Sequence, residues 1–360
     1  MKPLIASMMP SDTLSMDELE CQLIRIWEDV LGKRGIGVRD SFWDLGGHSF
    51  IALRMARRIE KILRKSLPIA TLLQVSTIEG LAQLLRDSGW SPMWTSLVAI
   101  QPRGSKPPFF CVHGIGGMIM SFRDLARHLG ADQPVYGLQA QGVDGDRPVY
   151  NRVEEMAAHY LLEIRTIQPH GPYYLAGLSF GGWVAYEMAQ GLRAQGEEVG
   201  FLGLFDTYTS NWSKPELILK LLRLPPRQGI SHVYKRVARY VREAKIEIET
   251  LFLPHHLKQV RRALHEASDA YVPKPYFGKI TFLRASQQSI RDSDDPKSGW
   301  GALASGELEI HDIQGNHNNI LAEPQVGVLA RQLKAGLDKA QEEFLPRTIS
   351  AGNKLSPGAP

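Results

Sequence analysis

Residues 173–189 read YYLAGLSFGGWVAYEMA, and this stretch decides the fold. Six largely apolar residues end at Leu178, a single serine follows, and a helix-like run with apolar residues at Val184, Ala185, Met188 and Ala189 starts beyond Gly181-Gly182. A strand that stops at a serine and turns at once into a helix exposes the hydroxyl at the tip of a sharp corner. Glycines at Gly177 and Gly181, two residues to either side, relieve the crowding there. A glycine-rich turn with a capping serine would share the five-residue core of the pattern. The strand before it and the helix after it favour a nucleophile at Ser179.

A serine hydroxyl attacks poorly without a base, so the sequence should supply one. His317 in Gly315-Asn316-His317 lies just past the strand-like run LEIHDI at 308–313, and it is the expected base; His311 lies inside that run. The acid has two candidate places. Asp206 follows the run GFLGLF at 200–205 directly, whereas Asp292, Asp294 and Asp295 follow the run KITFLR at 279–284 in a polar loop. Asp206 is favoured, and either choice keeps the order serine, aspartate, histidine. The developing oxyanion needs two backbone N–H donors. Phe180, next after the serine, is one. Ile115, in the turn His113-Gly114-Ile115-Gly116-Gly117 after the run FFCVH, is the other. His113 is read as shaping that turn.

Further outward, the apolar runs 109–113, 135–139, 173–178, 200–205, 279–284 and 308–313 alternate with helical patterns at 118–129, 153–168, 181–195 and 324–340. Such alternation predicts a mostly parallel sheet with helices on both faces. Residues 208–275 hold helix-like runs and no strand-like one, which predicts a helical lid between two strands. Residues 88–108 are rich in glycine and proline and read as a linker merging into a first strand at Ser96–Gln101. Residues 12–87 read as a small all-helical unit, opened by a capping-box pair at Ser15 and Glu18. At its centre is DSFWDLGGHSFIALRMARR, residues 40–58, where polar and glycine residues stop at Ser49 and a helical face of Ile51, Met55, Ile59 and Ile62 begins. Pro68 is expected to end that helix, and the polar tail after 341 to be disordered.

The whole chain sets bounds. Its 360 residues suggest about two domains at roughly 150 residues each. The net charge of +4 is too mild and scattered to imply nucleic acid. Cys21 and Cys111 lie far apart, so neither a disulfide framework nor a metal site is expected, and a reducing cytoplasm fits. No membrane span and no signal peptide are read.

Two resemblances follow from these residues. DSFWDLGGHS resembles the carrier-protein motif of nonribosomal peptide synthetases, with Trp43 where a phenylalanine is usual. It implies a four-helix carrier bundle over 12–87 with 4′-phosphopantetheine, installed by a phosphopantetheinyl transferase, on Ser49. PPFFCVHGIGG, VYGLQAQGVDG, GPYYLAGLSFGGWVAYEMAQGL and IQGNHNNIL resemble the type I thioesterase domains that end such synthetases and polyketide synthases. They imply an α/β-hydrolase domain over 108–340, behind a linker at 88–107, with a lid at about 208–275. In that family the acid follows the strand that Asp206 follows.

Together the resemblances imply that an acyl or peptidyl thioester carried from Ser49 is passed to Ser179 and released by hydrolysis or cyclisation. The chain would be built by upstream condensation and adenylation, or ketosynthase, modules, of which this sequence holds no motif. The rivals are an editing thioesterase, a carrier with a degenerate hydrolase domain used for docking, and an esterase acting on free esters. A fused carrier argues against the first and third, and the intact Ser179, Asp206 and His317 against the second.

Overall fold

The computed structural model describes residues 16–87, 89–90, 94–208, 253–287, 297 and 299–344. Ser15, the span 209–252, the acidic loop at 291–296 and the tail from 345 lie outside the described residues, and so do the expectations placed on them.

The N-terminal unit is four helices: α1 (Met16–Leu31), α2 (Ser49–Leu63), the single turn α3 (Thr71–Gln74) and α4 (Ile78–Arg86). Leu23, Trp27, Phe42, Met55, Ile59, Leu72, Leu81 and Leu85 fill its core. The buried face of α2 is Ala52, Leu53, Met55, Ala56 and Ile59, whereas Ile62, expected on it, is 48% exposed. The helix ends at Leu63 because Arg64 adopts left-handed backbone (φ 57°) and its N–H caps the Glu60 carbonyl. Pro68 comes too late to break it.

Seven strands form one sheet: β1 (Leu97–Gln101), β2 (Phe109–Val112), β3 (Val135–Leu138), β4 (Tyr173–Leu178), β5 (Val199–Phe205), β6 (Ile280–Ala285) and β7 (Leu308–Ile313), in the order β1-β3-β2-β4-β5-β6-β7. Only β1 is antiparallel to its neighbour; β2 to β7 run parallel. Helices α5 (Phe122–Leu129), α6 (Val153–Ile164), α7 (Phe180–Ala194), α8 (His255–Ala270) and α9 (Gln325–Phe344) cover the faces. One core layer holds α6, α7 and α8 side chains, the other those of α5 and α9. Strands β2 and β4 are buried along nearly their whole length, as a parallel strand covered on both faces must be.

The first strand expected at Ser96–Gln101 is β1, where Leu97 to Ala99 pair in register with Leu138 to Tyr136, so the sheet unit starts ahead of residue 108, inside the 88–107 stretch read as linker. The insertion over 208–275 is not all cover, since α8 buries Leu257, Val260, Leu264 and Ala267 in the same core layer as Val184 and Met188 of α7.

The helical unit straddles β1. Its Leu53 and Ile69 join one core layer of the sheet unit, and its Ala70 and Leu73 join the other, beside Val98. The guanidinium of Arg123, on α5, lies 4.9 Å over the Trp43 ring, whose indole N–H donates to the Leu72 carbonyl at 3.1 Å.

Candidate active site and attachment site

Ser179 and Phe180 follow β4, Asp206 follows β5, Ile115 follows β2 and His317 follows β7, so all five stand beyond the C-terminal ends of parallel strands, where an open α/β sheet presents its ligand crevice. Ser179 leaves β4 with φ 53° and ψ −116°, backbone that an L side chain rarely adopts. Its amide donates to the Phe205 carbonyl at 2.8 Å and its carbonyl accepts from the Thr207 hydroxyl at 3.0 Å. The corner is closed from both sides. A Cβ at Gly177 would collide with the Gly181 carbonyl, one at Gly181 with the His113 carbonyl, and one at Gly182 with Thr207. Ser179 occupies the cap position of α7, yet its hydroxyl makes no capping bond. It is left available for chemistry.

Asp206 stands at the end of the next strand, since Leu178 and Phe205 are register partners. It too has positive φ, 48°, and its amide donates to the Leu283 carbonyl at 2.8 Å. Its side chain is 2% exposed and His317 Nδ1 lies 2.6 Å from Oδ2. The other oxygen, Oδ1, accepts from the Tyr208 hydroxyl at 2.6 Å and from the Ala285 amide at 2.7 Å. His317 itself is half exposed, on a turn fixed by Asn316 N–H to Asn319 Oδ1 at 2.7 Å and by Asn318 N–H to Asn316 Oδ1 at 3.0 Å. The rival His311 is engaged elsewhere, with Nε2 2.8 Å from Glu309.

Phe180 opens α7, so its amide is among the first-turn donors that a helix leaves unpaired. Ile115 sits in a tight turn closed by Gly117 N–H to the Gly114 carbonyl at 2.9 Å. Both lie at the same end of adjacent strands, because β2 and β4 pair as far as Val112 and Gly177. Beneath them His113 is fully buried. Its Nδ1 is 2.7 Å from the Gly114 carbonyl and its Nε2 2.9 Å from the Tyr160 hydroxyl, and its ring stacks on Phe180 with centroids 6.1 Å apart. Burial lowers its pKa to about 4, so it stays neutral. His113 shapes the turn.

The reading of the sequence missed Tyr208 and Thr207. Their signal was present, two hydroxyl residues directly after Asp206, but the partners that give them meaning lie on other strands.

At the other end of the chain, Ser49 is the first residue of α2 and half buried; the cap position is His48, in extended backbone and without a side-chain capping bond. The first-turn amides of α2 therefore have no side-chain cap, and the helix dipole favours an anion beside them. Gly46 (φ 90°) has open space where a Cβ would stand, and Phe50 is 40% exposed. These residues fit a phosphodiester on the Ser49 hydroxyl. Gly47 is needed inside the unit, because a Cβ there would strike the Phe42 ring.

Among the described residues no helix is long and apolar enough to cross a membrane, and no group of three or more His, Cys, Asp or Glu could hold a metal ion.

Comparison with known proteins bears on both sites. A family model described as a thioesterase domain matches residues 107–336, and one described as a phosphopantetheine attachment site matches residues 21–85. A dimodular nonribosomal peptide synthase of Bacillus subtilis (strain 168) is 32% identical over 344 residues, covering 90% of this chain and 14% of the relative. Malpibaldin synthetase of Mortierella alpina is 31% identical over 331 residues, covering 91% of this chain and 6% of the relative. A solved four-domain nonribosomal peptide synthetase, bound to AMP and glycine, superposes with a TM-score of 0.56 at 25% identity, over 92% of this chain and 27% of that one. The chain thus spans only a small part of the length of these relatives.

Proposed function

The chain belongs to the thioesterase domain family and carries a phosphopantetheine attachment site ahead of that domain, and on that premise we propose that it releases a finished acyl or peptidyl chain in nonribosomal peptide synthesis. The observation that carries this reading is the hydrogen bond of 2.6 Å between His317 Nδ1 and a buried Asp206, one strand away from a serine held in a strained corner.

Ser49 is the attachment residue, with the first turn of α2 set against the phosphodiester. When attached, phosphopantetheine supplies the thiol to which the acyl chain is bound as a thioester. Fusion of the two units keeps that substrate at high effective concentration near Ser179. Ser179 Oγ attacks the carbonyl carbon as His317 Nε2 takes its proton, and Asp206 fixes the tautomer and steadies the imidazolium. The amides of Phe180 and Ile115 stabilise the oxyanion. The carbon–sulfur bond breaks, His317 returns the proton to the leaving thiolate, and the acyl group stays on Ser179. Water, or a nucleophile within the acyl chain, is then deprotonated by His317 as it attacks the ester carbon, and His317 returns that proton to Ser179 Oγ as the ester bond breaks, giving an acid, lactone or lactam.

The partners in this reading are upstream condensation and adenylation, or ketosynthase, modules and a phosphopantetheinyl transferase, and the setting is cytoplasmic. The test is intact-protein mass spectrometry of a His317→Ala variant of the loaded chain. An acyl group resting on Ser49 alone in His317→Ala, and turning over in the wild type, supports the reading. Unimpaired release by His317→Ala refutes it.

A further inference from the structure

We propose that Tyr208 is a positioning residue that holds the Asp206 carboxylate and moderates its pull on His317. The proposal rests on the reading of Asp206 and His317 as acid and base. Asp206 divides its two oxygens between two tasks. Among the described residues Oδ2 faces His317 Nδ1, while Oδ1 takes two donors, the Tyr208 hydroxyl at 2.6 Å and the Ala285 amide at 2.7 Å. At 2% exposure the side chain has little access to water, so these two bonds do what solvent does for an exposed carboxylate. The Ala285 amide is fixed in β6. The Tyr208 hydroxyl is aimed by packing, because its ring stands edge-on to Phe282 of the same strand at 5.8 Å and 88°.

A donor on Oδ1 draws carboxylate charge away from Oδ2 and stabilises the ionised form. Less charge then faces the imidazole than beside an unmoderated carboxylate. A base that must be neutral to accept the serine proton gains from that restraint. Among the described residues the charged neighbours are Arg284 on β6, which interacts electrostatically with both Tyr208 and Asp206, and Asp312 on β7, which pairs with Arg284 at 2.8 Å.

The sign of the effect separates this role from a structural one. Tyr208→Phe concentrates charge on Oδ2 and raises the pKa of His317. Asp206→Asn removes the charge and lowers it. The measurement is an NMR pH titration of the His317 imidazole in ¹⁵N-histidine-labelled full-length chain, which needs no turnover. It is paired with the acid limb of kcat/KM on a short acyl N-acetylcysteamine thioester. The expected result is a rise of roughly half a pH unit to one unit in Tyr208→Phe, a fall in Asp206→Asn, and a fall when 3-fluorotyrosine, a stronger donor of nearly the same shape, occupies position 208. A structural role for the tyrosine would lower the plateau rate and leave the limb where it was. An unmoved or lowered His317 pKa in Tyr208→Phe, or no response to 3-fluorotyrosine, overturns the proposal while the triad reading stands. Full turnover by Asp206→Asn overturns the triad reading itself and this proposal with it.

Discussion

Ser49 and Ser179 each stand where a helix begins, and the chain around them is built in opposite ways. Ser49 is the first helical residue behind an extended His48, three residues after Gly46, which has open space where a Cβ would stand, and the adjacent histidine is exposed. Ser179 takes the cap position itself, at φ 53°, among glycines that leave no room for a methyl group, above a histidine with no exposed surface. A residue that must be reached by a large enzyme and then carry a long flexible group needs access and little else. A residue that must attack needs a fixed direction, and the protein secures it with strain and crowding.

The largest effect that tests this contrast is on chemistry. Ser179→Ala should lower release of a loaded acyl chain by a factor on the order of 10⁶, while still accepting one phosphopantetheine mass from a transferase and coenzyme A. Ser49→Ala should accept none, yet keep its turnover of a free acyl N-acetylcysteamine thioester. If either variant shows the other's phenotype in mass spectrometry and a thiol-release assay, the division of labour is wrong. Next in size, Asp206→Asn should keep the fold and lose roughly 10⁴ in turnover, because the wrong histidine tautomer is then favoured; activity within tenfold of wild type would move the acid elsewhere.

A smaller effect comes from the histidine beneath the corner. Burial lowers the His113 pKa from 6.5 to about 4. The unfolded chain therefore binds this proton between those values while the native protein does not, and stability must fall as the pH drops through that window. The loss should reach roughly 3 kcal/mol near pH 4. Urea unfolding should show a steeper decline from pH 6.5 to 4 in wild type than in His113→Gln; parallel curves would remove His113 from the account. The smallest effects are opposite in sign. Ser179→Gly should stabilise the protein by about 1 kcal/mol by releasing a positive-φ strain, and Ser49→Gly should destabilise it by up to about 1 kcal/mol. Thermal unfolding that moves both in one direction would show that the two corners are not built differently.

The corner at Ser179 was legible because its constraint is local: strand, serine, glycines and helix are consecutive, and steric reasoning needs nothing else. The pairing of His317 with Asp206 was legible from position, since a parallel sheet presents the ends of all its strands at one edge. What escaped depends on contacts between distant parts of the chain. Oδ1 of Asp206 meets an amide 79 residues away at Ala285, which no motif marks, and Tyr208 means little without it. Gly46 and Gly47 are indistinguishable in the sequence; only the folded position of the Phe42 ring shows that the first is open and the second packed. The helix α8 has the same amphipathic pattern whether it covers a cavity or fills a core, so periodicity alone could not choose.

The placement of the helical unit across β1 has a further consequence. An outermost strand offers unpaired N–H and C=O groups to any extended chain that drifts past. Leu53 and Ile69 on one side, and Ala70 and Leu73 on the other, bracket that seam. The helical unit is thereby also placed to hinder strand addition. A sheet unit severed from it would carry a bare margin and would lose the packing of these four side chains, and would tend to associate with its own copies, so colloidal safety is a second reason for the two units to share one chain.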